Sequence, residues 1–169
     1  MKKWKLLSLF SAFLFLFMII PAVIFACDCA ISESPTEELE RVSSVFSGKV
    51  IEIYDKNSSN PIQSTADELV IKIEVDQIWK GLEQSEVLVY TERDSASCGY
   101  PFSEGKEYLI YAVEDQDGDM RVSLCSRTAE LKDATLDLEE LGEGIAPTEE
   151  VKVDIPKSVV AEKYFLLLL

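Results

Sequence analysis

Four cysteines carry most of the chemical potential of this sequence: Cys27, Cys29, Cys98 and Cys125. Two of them stand one residue apart in "FACDCAIS", directly after a long apolar run. Cysteine can exchange disulfides, ligate metal or crosslink. Exchange centres favour C-x-x-C and a basic neighbour that lowers a thiol pKa, whereas here the spacing is C-x-C and the neighbour is Asp28, which raises it. A zinc site built from side chains would draw on histidine or a C-x-x-C pair, and the sequence has neither. Crosslinking remains, and an even number of cysteines in an oxidising compartment forms disulfides by default. Cys27 and Cys29 are poor partners for each other, because that bridge strains the ring and closes almost no loop. Two connectivities are left: Cys27–Cys98 with Cys29–Cys125, or the crossed pair.

The residues before Cys27 supply the oxidising compartment. Lys2, Lys3 and Lys5 form a basic start, residues 6–20 are almost wholly apolar, Pro21 ends the run, and Ala26 offers a small residue for cleavage. This is the layout of a secretory signal peptide over residues 1–26, which makes Cys27 the first residue of an exported chain. Two alternatives use the same residues. A retained segment of this length could anchor the chain in a bilayer, and "IFAC" approaches a lipobox in which Cys27 would be lipidated. Contact with membrane is expected only in those two cases. The whole chain has a formal charge of −15, and without the three leading lysines about −18. Such a surface repels nucleic acid and anionic headgroups and favours solubility outside the cell.

These cysteines need elements to hold them. In "SPTEELERV", Ser34 can cap a short helix, Pro35 suits its first position and Glu37 completes a capping box. "VSSVFSGKVIEIYD" alternates apolar with polar or small residues, the period of a half-buried strand, and Gly48 within it suggests a bulge. "ELVIKIEVDQIWKG" is the clearest strand, with Leu69, Ile71, Ile73 and Val75 on one side. "EVLVYTE" and "KEYLIYAVE" are two more, separated by the loop that carries Cys98. "DQDGD" is a hairpin turn with Asp117 and Gly118 at its tip. A calcium loop through Asp115, Asp117 and Asp119 would need glutamate where Ser126 stands. "MRVSLCSR" would return as a fifth strand, delivering Cys125. From Thr128, as cap, a helix would carry Leu131, Thr135, Leu138 and Leu141 on one face and stop at Gly142. Trp79, Tyr100, Tyr108 and Tyr111 alternate with aliphatics as core residues do.

Five strands with one or two flanking helices, in an all-antiparallel order, fit a small mainly β barrel of the OB-fold type over residues 27–144. A seven-stranded immunoglobulin-like sandwich fits less well. Residues 145–169 read as an acidic, irregular tail without packed structure.

Those residues, taken together, resemble a known family. The C-x-C at the mature start, "IWKG" closing a strand, "SCGYPFSEGKEYLIYA", and "LCSRTAEL" before a leucine-faced helix are similar to the netrin-like module. They most resemble bacterial proteins related to tissue inhibitors of metalloproteinases. The resemblance covers residues 27–142 and implies an OB barrel with Cys27 paired to Cys98 and Cys29 to Cys125. It also implies a protein that binds rather than catalyses and needs no cofactor or metal of its own. In the family's inhibitors the amine and carbonyl of the first cysteine chelate the zinc of a protease, a role that would fall to Cys27. The residue that follows enters the protease's specificity pocket. Here that residue is Asp28, where the animal inhibitors carry a small hydroxyl residue. Two expectations follow: an inhibitor of a zinc metalloproteinase, or a secreted or cell-surface interaction module that binds another extracellular protein and uses these cysteines only as staples.

Overall fold

The computed structural model describes residues 34–58 and 60–155, together with Cys27, Cys29, Lys3 and Phe10. The expected signal peptide, apart from those last two residues, lies outside the described residues, as do Asp28 and the tail from residue 156.

Helix α1, Pro35–Arg41, starts where the capping motif places it, with the Ser34 hydroxyl accepting the Glu37 N–H. Strands β1 (Ser44–Asp55), β2 (Glu68–Lys80), β3 (Glu86–Glu92) and β4 (Glu107–Glu114) follow. Their apolar alternation makes them the staves of a barrel. β5 is only Met120–Arg121, paired to β4 across the Asp117–Gly118 hairpin. β1 pairs with both β2 and β4, which closes five strands in the order β1-β2-β3-β5-β4. The register of β1 against β2 shifts between Ser47 and Gly48, at the expected bulge.

One pairing differs from the all-antiparallel expectation. β3 and β5 run parallel, Val89 facing Met120 and Tyr90 facing Arg121. A parallel neighbour requires strands distant in sequence, and chain composition carries no mark of it.

The barrel interior holds Phe46, Val50, Ile71, Ile73, Val75, Val89, Tyr108 and Ile110. A second cluster, Val42, Val45, Leu109, Tyr111 and Ala134, lies under α1 and the C-terminal helix. β1, over its first five residues, and β4 therefore bury side chains on both faces, which explains why the apolar run of β4 is nearly continuous. Tyr108 and Tyr111 are core residues, as expected, whereas Tyr100 sits in the β3–β4 loop and packs against Phe102 and Tyr108.

The single helix expected from Thr128 is broken into pieces. Residues Ala129–Glu130 form β6 against β4, a 3-10 turn covers Leu131–Asp133, and helix α2 is only Thr135–Leu141. Thr128 does not cap it. Its buried hydroxyl accepts the Tyr111 N–H at 3.0 Å, completing the edge of β4. α2 is held through Asp137, which takes Arg127 in two hydrogen bonds and the Tyr111 hydroxyl in a third.

The tail expectation also needs correction for residues 145–153. Ile145 forms a bridge with Ile78 and Glu149 with Gln84. Farther on, Ser85 exchanges hydrogen bonds with Val151, and Val153 N–H donates to Glu86. Val151, Val153 and Ile155 are half-buried while Lys152 and Asp154 are exposed, so this strap has the period of an extended chain laid along the β2–β3 turn.

Candidate functional site: the stapled N-terminus

Cys27 is bonded to Cys98 and Cys29 to Cys125, with Cα separations of 5.7 and 5.0 Å. Of the two pairings that sequence reasoning left open, this is the uncrossed one. The two receiving cysteines are neighbours because their loops are knitted together. Gly99 forms a bridge with Ser123, and the Leu124 N–H donates to the Cys98 carbonyl at 2.8 Å. One loop descends from β3 and the other follows β5, so the parallel β3–β5 seam brings the two partners to one end of the barrel.

Local backbone chemistry shapes the Cys98 loop. Asp94 caps a 3-10 turn over Ser95–Ser97 by accepting the Ala96 N–H. Cys98 follows in the left-handed region, φ 66°, where a residue with a Cβ is strained. The constraint is met by Cys98 N–H to Ser95, Gly99 N–H to Asp94, and the disulfide itself. Gly99 then passes so close to β3 that a Cβ there would lie 1.9 Å from the Glu92 carbonyl oxygen. Glycine is required at that point.

A feature that sequence reasoning missed supports this loop from behind. Arg93 grips Asp55 with two hydrogen bonds of 2.5 Å and reaches Asp67 at 3.5 Å. Its own N–H donates to the Asp67 carbonyl, Asp94 N–H to Thr65, and the Ser97 hydroxyl to that of Thr65. The β1–β2 connection and the Cys98 loop are thus tied together. No local sequence signal marks this, because the partners are 26 to 38 residues apart.

The acidic turn is structural. Asp115 accepts N–H groups from Asp117 and Asp119 and pairs with Arg121 at 2.6 Å, which keeps its carboxyl below the ordinary range. Among the described residues no three Cys, Asp or Glu side chains converge as a metal site.

A closed five-stranded barrel of OB type, with a C-x-C segment stapled to two adjacent loops, defines a netrin-like module. Residues 25–139 match the family described as "Tissue inhibitor of metalloproteinase", and the chain belongs to that family. Similar curated relatives include Metalloproteinase inhibitor 2 of Gallus gallus, 32% identical over 108 residues that cover 62% of this chain and 48% of the relative. Metalloproteinase inhibitor 2 of Homo sapiens is 32% identical over 104 residues, 59% of this chain and 46% of its own. The chain therefore spans about half the length of the curated relatives it matches. The family is one of inhibitors rather than of enzymes.

Proposed function

We propose that this chain is an exported module that binds a zinc metalloproteinase through its N-terminus. Removal of residues 1–26 would leave Cys27 first, with a free α-amino group and a carbonyl oxygen that close a five-membered chelate on the partner's zinc. The amine has an ordinary pKa of about 8, so a fraction is neutral at pH 7 and able to donate its lone pair. Catalytic zinc keeps one position for water, which the chelate would displace. Two disulfides pre-organise the segment and reduce the ordering cost of binding. The observation that carries this reading is the family match, which spans the C-x-C and both of its bridged partners. Among the described residues no helix is long and apolar enough to cross a membrane.

Asp28 favours a second reading, an interaction module without inhibitory activity. A carboxylate is costly in an apolar specificity pocket unless the pocket supplies hydrogen-bond donors or a cation. The two readings separate in one experiment. The N-terminus and intact mass of the exported protein are determined first, then inhibition is measured against a panel of zinc metalloproteinases with and without one extra alanine before Cys27. The inhibitor reading expects a start at Cys27 with a free amine, a mass four hydrogens below the reduced chain, and inhibition that the alanine abolishes. Inhibition indifferent to the extension, or an acylated Cys27, would sink the chelate.

A further inference from the structure

Lys80 is the third residue of the segment "IWKG" and has no part in the proposed chelate. Its ammonium carries three N–H donors, and they reach the carbonyls of Leu39 at 2.8 Å, Glu40 at 3.1 Å and Val42 at 2.7 Å. Leu39 and Glu40 lie in the last turn of α1, whose carbonyls have no partner within the helix. A cation placed there also complements the helix dipole. At the opposite end, the Glu140 carboxylate accepts the Thr36 N–H at 3.1 Å and the Thr36 hydroxyl at 2.7 Å. Those two bonds hold the Glu140 carboxyl below the ordinary carboxylate range.

α1 has seven residues, too few to be stable by itself, so its place depends on what grips its ends. The same motif supplies several of the grips. Trp79 donates from Nε1 to the Gly142 carbonyl at 2.9 Å, fixing the end of α2, the helix that carries Glu140. Gly81, at φ +79°, lies so close to the segment leaving α1 that a Cβ would stand 2.1 Å from the Ser43 oxygen. Upstream, only residues 30–33 separate Cys29 from the Ser34 cap. At about 3.5 Å of reach per residue, this short connection limits how far α1 and the stapled Cys29 can separate.

We propose that Lys80 is a positioning residue for the N-terminal wedge, acting through α1, with Glu140 holding the other end of the same helix. This rests on the reading of Cys27 as the residue that meets the protease. The disulfides hold Cys27 and Cys29 against the barrel loops, and the short connection to the Ser34 cap links the same segment to α1.

The test uses the mature full-length chain with Lys80→Met, Lys80→Arg and Glu140→Gln, and two readouts. Amide hydrogen exchange is followed in α1, at Cys29 and in the barrel strands. Dissociation is timed from a zinc metalloproteinase that the wild type inhibits. Expected for Lys80→Met is roughly tenfold faster exchange in α1 and at Cys29, with Ile71, Val89 and Ile110 unchanged, and roughly tenfold faster dissociation. Lys80→Arg, which keeps the charge and the donors, should recover most of both effects, and Glu140→Gln should reproduce them in weaker form. Unchanged exchange at Cys29 while α1 loosens would overturn the proposal, as would equal losses in α1 and the barrel. Should Lys80→Met fail to fold, Glu140→Gln on the exposed side decides by the same criteria. A wild type that inhibits nothing would refute the proposed function and leave the exchange experiment to decide this one.

Discussion

Among the described residues Asp119 has no cation to itself. Burial first, then the charges of Asp115 and Glu68, raise its carboxyl above the ordinary value, while Arg121 is taken by those two neighbours at 2.6 Å each. A raised acid costs stability once ionised, so the cost is present above the folded pKa and absent below the unfolded value of about 4. Asp119→Asn should therefore raise the thermal midpoint at pH 7 by about 1–2 °C, small because the group is partly solvated. The gain should vanish below about pH 4; a thermal melt at each pH checks it. Asp28 makes a second residue-scale prediction. Replacing it with Ser or Thr should tighten inhibition of proteases whose specificity pocket is apolar, by about tenfold or more, read as an inhibition constant. At Gly99 the space is closed, and Gly99→Ala should cost about 3 kcal/mol or more in urea unfolding, because the new Cβ meets backbone rather than a side chain that could move.

Among the elements, the strap is the one whose removal tells most. Residues 145–153 meet backbone groups of Ile78, Glu83 and Ser85 that would otherwise face water. The half-buried Val151 and Val153 also lie beside this turn. Ending the chain at Gly144 should lower the urea midpoint and reduce the m-value, since less surface is then exposed on unfolding. The closure of the barrel and the α1 clamps should survive, because the strap's hydrogen bonds run to Ile78, Glu83, Ser85 and Glu86 instead. The elements also show where sequence is a good guide. Capping by Ser34, the bulge at Gly48 and the hairpin at Asp117–Gly118 are local devices within a few residues, and each stands where its motif puts it. Thr128 was misread for the opposite reason. A threonine before a leucine-faced run reads as a cap, yet the unpaired edge of β4 claims its hydroxyl and strand pairing claims the next two residues.

The whole molecule is a small acidic barrel that depends on its crosslinks. The disulfides span 71 and 96 residues, and closing loops of that length in the unfolded chain is worth about 4–5 kcal/mol each by chain entropy. Reduction should lower the urea midpoint sharply and free the N-terminal segment. Acid should act more gradually. Asp67, Glu86, Asp115, Glu130 and Glu140 are held below the ordinary range, chiefly by hydrogen bonds from Ser64, Lys72, Arg121, Lys106 and Thr36 respectively. Each contributes stability that is present above its unfolded pKa and lost as pH falls through its lower folded one. The urea midpoint should hold level down to about pH 5 and decline below about pH 4.

What the sequence by itself determined were the features whose partners are close in the chain: strands written in period two, a capped first helix, the tight turns, and a cysteine frame that narrowed to two pairings. It also carried enough of the family's pattern for the N-terminus to stand out as the candidate site. Tertiary structure alone decided the parallel β3–β5 seam and the Arg93 grip behind Cys98, and it settled the uncrossed disulfides that spacing left open and the family resemblance implied. It also decided the strap and the three carbonyls around Lys80. In each of these the partners are tens of residues apart, and a charged or polar side chain looks the same in sequence whether it faces water or completes a distant backbone group.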